Sequence, residues 1–155
     1  PPKRRIIIWI STRKERHMAD TVSIVNYFSI IVPHKAGESA KIFAVLKDAG
    51  VNLTAVWGYP IKGKKAQLDI VPADAKAFQK ACKKAGIEVA SKSSTLVIAG
   101  DDRPGALGDT AAKLGAAGVV IRAAQANAAD GKWVATIQVG EDDIKKAKKA
   151  IASSK

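Results

Sequence analysis

The chain repeats itself at a fixed spacing. Gly37 and Gly105, Leu46 and Leu114, Gly50 and Gly118, Val51 and Val119, Leu53 and Ile121, and Val71 and Val139 all stand 68 residues apart without a gap. Two glycines and an apolar frame at one offset make a tandem duplication, so two similar units are expected within the 155 residues. A unit of roughly 70 residues buries too little surface to be secure alone. The two units are therefore expected to share an interface, by pairing their sheets or by packing their helices.

The second copy is the clearer one. Leu96-Val97-Ile98-Ala99 is a short apolar run that suits a mostly buried strand. Asp101-Asp102-Arg103-Pro104-Gly105-Ala106-Leu107-Gly108 follows and opens a helix. Asp102 is expected to cap it, with Pro104 inside the first turn, where a missing N–H costs nothing. Gly105, lacking a Cβ, lets the backbone come close to a neighbour or ligand. Gly118 ends the helix as a C′ residue, and Val119-Val120-Ile121 begins a strand. Such a loop leaves backbone N–H groups unpaired and pointing together, which suits a carboxylate. Its earlier counterpart is Val32-Pro33-His34-Lys35-Ala36-Gly37-Glu38-Ser39, leading to Asp48-Ala49-Gly50-Val51-Asn52-Leu53.

Taken in order, the first unit reads as a strand over 21–32, a helix through 48, strands over 51–59 and 66–71, a helix over 75–84 and a short strand over 87–90. Pro33 closes the first strand, Asp74 caps the second helix and Gly86 stops it. The second unit gives a strand over 96–99, a helix over 104–117, strands over 119–126 and 133–139 around a turn at 129–131, and a last helix after the acidic Glu141-Asp142-Asp143. The order is βαββαβ, then the same without its last strand. That order predicts an α+β fold of two ferredoxin-like units, over 21–92 and 94–155, with helices on one face of an antiparallel sheet. The second unit is one strand short, so its sheet edge needs cover.

Asp102-Arg103-Pro104-Gly105-Ala106-Leu107, a helix, then Ala117-Gly118-Val119 resembles the signature of the ACT domain, a small module that binds amino acids and regulates metabolic enzymes. Lys35-Ala36-Gly37 with Leu46 to Leu53 is similar in weaker form, and departs where Asp102-Arg103-Pro104 becomes His34-Lys35-Ala36. The resemblance covers nearly everything from Thr21 to Ile151. It implies a ligand between paired modules, at the first strand–helix loop of one and the second strand of its neighbour. Candidate ligand-binding residues are then Asp102, Arg103, Pro104, Gly105, Ala106 and Leu107 in one loop, His34, Lys35, Ala36 and Gly37 in the other, with Asn52 and its counterpart Val120 on the facing strands. N–H groups around Gly105 suit an α-carboxylate, Asp102 an α-ammonium, and Asn52 offers a donor and an acceptor. Asp102 serves equally as a helix cap, and Arg103 equally as a solvated side chain. The resemblance implies a non-catalytic regulator whose ligand is a free amino acid, assembled as a homodimer or higher homo-oligomer, with an enzyme or regulator protein as its partner.

Other classes fit less well. The formal net charge is +12, of which +5 falls in the first seventeen residues and the rest mostly on helical lysines such as Lys80, Lys83, Lys145 and Lys149. A nucleic-acid-binding ferredoxin-like sheet is the alternative, but it wants stacking aromatics on its third strand, and neither Lys65-Ala66-Gln67-Leu68-Asp69 nor Val134-Ala135-Thr136-Ile137-Gln138 has them. No Ser/His/Asp, Cys/His or paired-carboxylate arrangement argues for an enzyme, and with only two histidines no metal or cofactor is expected. Trp57, Tyr59 and Trp133 are assigned to packing or to an interface between modules. The single cysteine, Cys82, excludes an internal disulfide, belongs on a buried helix face beside Phe78 and Ala81, and suits the cytoplasm. No stretch is long enough for a membrane span. Residues 1–17 differ from the rest: a basic start, the apolar run 6–10 and a polar stretch with no cleavage site. Arg13-Lys14-Glu15 can be written AGA-AAG-GAG, a ribosome-binding sequence a short distance before Met18. The segment is therefore expected to be upstream or added sequence outside both units; as protein, 6–10 would be an edge strand.

Overall fold

A computed structural model describes residues 20–153 of the chain. The segment over 1–17 and the edge strand expected at 6–10 lie outside the described residues. The elements run β1 (Thr21–Pro33), α1 (Glu38–Asp48), β2 (Leu53–Ile61), β3 (Lys65–Pro72), α2 (Ala75–Ala85), β4 (Ser91–Asp101), α3 (Ala106–Ala116), β5 (Ala123–Ala129), β6 (Lys132–Gln138), a 3₁₀ turn (Glu141–Asp143) and α4 (Ile144–Ala152). The fold is α+β, with every described strand pair antiparallel in one sheet of order β2-β3-β1-β4-β6-β5.

The register explains the order. β1 pairs with β4 from Thr21↔Ala99 to Ser29↔Ser91, and with β3 from Phe28↔Ile70 to Pro33↔Lys65. β4 pairs in turn with β6 from Leu96↔Ile137 to Asp101↔Lys132. A ferredoxin-like unit places its fourth strand beside its first, and here β4 holds that place for the first half while β1 holds it for the second. The edge expected to need cover is covered by β1. No strand forms at 87–90, contrary to expectation: that stretch is an irregular approach to β4, tied by Ala90 N–H to Ser29 O (2.8 Å). The alternation in Ile87-Glu88-Val89-Ala90 resembles a strand, but Ser91–Asp101, a longer run, takes the available edge of β1.

Alternation along the strands puts the apolar residues on the helix face. Phe28, Ile30, Leu68 and Ile70 pack with Leu46 of α1 and Phe78 and Cys82 of α2, and the Phe28 and Phe78 rings lie 4.9 Å apart. Leu96, Ile98, Trp133 and Ile137 pack with Leu114 of α3 and Ala147 and Ile151 of α4. Phe28 and Leu96, Ile30 and Ile98, Leu46 and Leu114, and Val51 and Val119 are all buried pairs at the repeat offset. The duplication is therefore a duplication of core positions. Burial pushes the Cys82 thiol pKa up, which keeps it out of thiolate chemistry.

Local signals explain the helix ends. The Asp74 carboxylate accepts from the N–H groups of Lys76 and Ala77 (2.8 and 3.1 Å), and Gly86 stops α2 at φ 67°. Gly50 and Gly118 follow α1 and α3 at the same φ of 67°.

Among the described residues the opposite face carries no helix, and it is concave. Trp57 and Tyr59 of β2 and Ala123 and Gln125 of β5 line one pocket, although these strands are the two edges of the sheet. Ser29, Asp69, Thr95 and Thr136 point to this side and are nevertheless buried.

Candidate functional site

The two strand–helix loops share one backbone geometry. In the second, Ala106 N–H donates to Arg103 O (3.3 Å) and Gly105 has φ 86° and ψ −1°, which makes Arg103-Pro104-Gly105-Ala106 a type II turn with proline and glycine in their preferred places. In the first, Glu38 N–H donates to Lys35 O (3.4 Å) and Gly37 has φ 85° and ψ −15°. Each glycine is then the N-cap of its helix. Gly105 is required for its positive φ and not for a close approach, since a Cβ there would meet no atom of the described residues within 4 Å.

This turn overrides the expected cap. Asp102 does not cap α3: the helix starts three residues later at the Gly105 N-cap, with no side-chain cap bond. The N–H of Asp102 donates to Gly131 O (2.9 Å), tying the loop to the β5–β6 hairpin, and its side chain is left exposed. Pro104 sits in the turn ahead of the helix rather than inside it. The first loop has the matching tie, from His34 N–H to Lys64 O (2.9 Å).

Arg103 is not a freely solvated side chain. Its Nη1 and Nη2 donate to Oδ1 and Oδ2 of Asp20 at 3.0 and 2.9 Å, a bidentate pair with only 21% and 13% of the two side chains exposed. Trp133 Nε1 donates to the same Oδ1 at 3.3 Å, and Asp109 Oδ2 stands 3.6 Å from Arg103 Nη2. The guanidinium bonded to Asp20 holds its carboxyl pKa below the usual carboxylate range, against the opposing effect of burial. The same bond raises the Arg103 pKa. Asp20 reaches the site because the residue beside it on β4 is Gly100, where a Cβ would stand 1.9 Å from Asp20 Oδ1.

A recess of about 270 Å³ opens over this loop, lined by Asp102, Arg103, Gly105, Ala106, Leu107 and Gly108 on one side and by Ala126, Asn127, Ala128 and Trp133 on the other. The N–H of Ala106 is spent on the turn and that of Asp109 on Gly105 O, which leaves Leu107 and Gly108 to present the helix start. The recess thus joins N–H donors suited to a carboxylate and an exposed carboxylate suited to an ammonium, closed on its far side by the β5 backbone at Ala126–Ala128. Next to Trp133 on β6, Lys132 pairs with Asp101.

The structure brings together five of the expected residues here: Asp102, Arg103, Gly105, Ala106 and Leu107. Pro104 shapes the turn without lining the recess. His34, Lys35, Ala36 and Gly37 lie together in the first loop, exposed to solvent. Asn52 stands just before β2 in a shallow depression with Lys47, Gly50 and Leu53, and its carbonyl accepts from Ala73 N–H (2.9 Å). Val120 is 74% exposed ahead of β5. Neither Asn52 nor Val120 lines the recess over the second loop within one chain. Asp20 and Asn127 were not singled out by the sequence. Gly100 on a strand directly across from an aspartate is the signal for the first, and the β5–β6 hairpin that faces the loop is the signal for the second. Among the described residues no three His, Cys, Asp or Glu side chains are grouped to hold a metal, and no described helix is long and apolar enough to cross a membrane.

No protein-family model matches the sequence, and no curated protein matches it. Solved structures do. Protein BT0572 from Bacteroides thetaiotaomicron is 22% identical, with a TM-score of 0.74 over 84% of this chain and 88% of that one. The ligand-free regulatory subunit of aspartate kinase from Thermus thermophilus is 14% identical, with a TM-score of 0.62 over 87% of this chain and 95% of that one. E. coli aspartokinase III, solved in complex with lysine and aspartate, is 14% identical with a TM-score of 0.53, and this chain spans 33% of its length. These likenesses show the fold, and it is the fold of the ACT-domain proteins. The match to the aspartate kinase regulatory subunit runs nearly end to end.

Proposed function

We propose that this chain is a non-catalytic regulator that binds a small free amino acid at the loop Asp102–Leu107. The observation that carries the reading is the recess over that loop, where the N–H groups at the start of α3 and the Asp102 carboxylate face the β5 backbone at Ala126–Ala128 across about 270 Å³. An amino acid presents a carboxylate and an ammonium on one carbon, which matches donors and an acceptor side by side. In this reading the chain consists of two ACT-like domains, over 21–92 and 94–155. A homodimer or higher homo-oligomer brings Asn52 or Val120 of a second copy towards a loop, and the output goes to a partner enzyme or regulator in the cytoplasm. Pro104 and Arg103 set the loop's shape, while His34, Lys35, Ala36 and Gly37 form a second half-site without the acidic residue. The fold shared with a regulatory subunit and with an aspartokinase crystallised with lysine supports the amino-acid class.

Thermal denaturation against the twenty amino acids, followed by calorimetry on any hit, tests this reading. A ligand that binds only the folded state at a hundred times its Kd adds about 2.7 kcal/mol, a rise of several degrees in Tm. The expected result is a selective rise that Asp102→Ala and Gly105→Val both abolish. No rise with any amino acid well above millimolar concentration would overturn it.

A further inference from the structure

Four strands separate β2 from β5 in the sheet, yet Trp57 and Tyr59 from one and Ala123 and Gln125 from the other wall a single pocket of about 140 Å³ on the helix-free face. We propose that this pocket is a second ligand site, separate from the Asp102–Leu107 loop, and that it takes a small organic cation of the quaternary or alkyl ammonium class. The curl of the sheet builds the pocket, so both halves of the chain contribute to it.

The chemistry of its wall selects the charge. Among the described residues no charged side chain lines the pocket, and Thr136 and Gln138 supply its neutral polar groups. Immediately behind the wall lies Asp69, fully buried and directly across from Trp57 in the β2–β3 register. Its Oδ1 accepts from Ser29 Oγ (2.6 Å) and Gln67 Nε2 (2.8 Å), and its Oδ2 from the Tyr59 hydroxyl (3.1 Å). All three donors are neutral, and among the described residues no cation pairs with Asp69. A buried carboxylate held by neutral donors leaves its negative field to act on the pocket in front of it. The Tyr59 hydroxyl, also bonded by Gln67 Nε2 (2.9 Å), is engaged with this cluster. Trp57 is braced by Tyr27, with ring centroids 5.6 Å apart. Aromatic walls attract an organic cation through their ring quadrupoles, and strongly hydrated ions gain least from such a surface. An amino acid would bring its carboxylate to a pocket with no basic group among the described residues of its lining, which separates this site from the loop.

The test uses choline and its uncharged isostere, in which carbon replaces the quaternary nitrogen. Both are titrated into the full chain while the tryptophan indole N–H signals are followed by proton–nitrogen NMR, with calorimetry for affinity. Choline is expected to shift one indole signal saturably, the signal missing from Trp57→Leu, and to bind about tenfold more tightly than the isostere. Trp57→Leu is expected to weaken choline about tenfold, and Asp69→Asn, which keeps the shape and removes the charge, severalfold. Equal affinity for choline and the isostere overturns the cation assignment on the unmodified protein, whatever the variants do. The absence of any saturable shift, or choline binding that survives Trp57→Leu unchanged, overturns the site.

Discussion

Gly100→Ala adds one methyl group directly against the Asp20–Arg103 pair. A Cβ at Gly100 would stand 1.9 Å from Asp20 Oδ1, 2.9 Å from Asp20 Cγ and 3.0 Å from Trp133 Nε1. Oδ1 is the oxygen that accepts from both Arg103 and Trp133, so the methyl can fit only by driving the carboxylate off its partners. Less than a quarter of either side chain of the ion pair is exposed, so solvent does not screen it away. Hydrogen bonds to charged groups contribute about 1.5–3 kcal/mol, and the expected loss is about 2 kcal/mol. For a chain of this size that lowers Tm by about 4–8 °C. Thermal melts of the wild type, Gly100→Ala, Asp20→Ala and the double variant supply the check. Because the methyl acts through Asp20, it should cost little once Asp20 is alanine, and the two losses should not add. pH gives a second reading. The folded-state pKa of Asp20 is depressed, so its contribution is fully present above the ordinary carboxylate value of about 3.9 and is lost as pH falls through the lower folded value. The gap in stability between wild type and Asp20→Asn should therefore hold at neutral pH and close only in acid. A Gly100→Ala protein that melts like the wild type, or additive losses in the double variant, would refute the reasoning.

Two further outcomes follow from hydrogen bonds already described. Tyr59, desolvated and bonded to Asp69, has its pKa pushed up to about 12. Its neutral phenol therefore supports the fold fully below pH 10 and loses that contribution as pH rises towards 12, and an alkaline absorbance titration should show a step near 12 that Tyr59→Phe removes. A Tyr59 that ionises near 10 would contradict the contact. Asp74→Ala removes the acceptor for two N–H groups of α2 and should cost about 1 kcal/mol in a urea melt; an unchanged midpoint would mean that water replaces the cap.

The repeat was the most legible feature of the chain because it is written in core residues. Phe28 and Leu96, or Leu46 and Leu114, keep their burial at the same offset, and alternation with turn glycines marks most strands and helices without help from distant contacts. The α+β class and the helix stops at Gly50, Gly86 and Gly118 were readable for that reason. The site was half legible. Asp102 looked like a helix cap because an aspartate before a proline usually is one, but Pro-Gly at the centre of a type II turn shifts the cap to Gly105. Arg103 could be weighed only as exposed or bound, since its partner Asp20 lies 83 residues away and reaches it by the pairing of β1 with β4. The strand expected at 87–90 failed on the same ground: local alternation was present, and a longer competitor for the same edge decided the outcome. The curl that brings Trp57 to Gln125 left no mark on either strand alone.

The mutual exchange of places between β1 and β4 also has a consequence for how the chain acquires its structure. The hairpins β2–β3 and β5–β6 close over short loops and can form early, whereas Thr21 must find Ala99 across 78 residues. That closure carries the largest loop entropy in the sheet and belongs late in folding. Until Ser91–Asp101 has left the ribosome, β1 stands with one side unpaired, as the outermost strand of a nascent half-sheet. The first half can thus pair β1, β2 and β3 and gather its helices before its own margin is sealed, and the strand that seals it is the one on which the second half is then assembled.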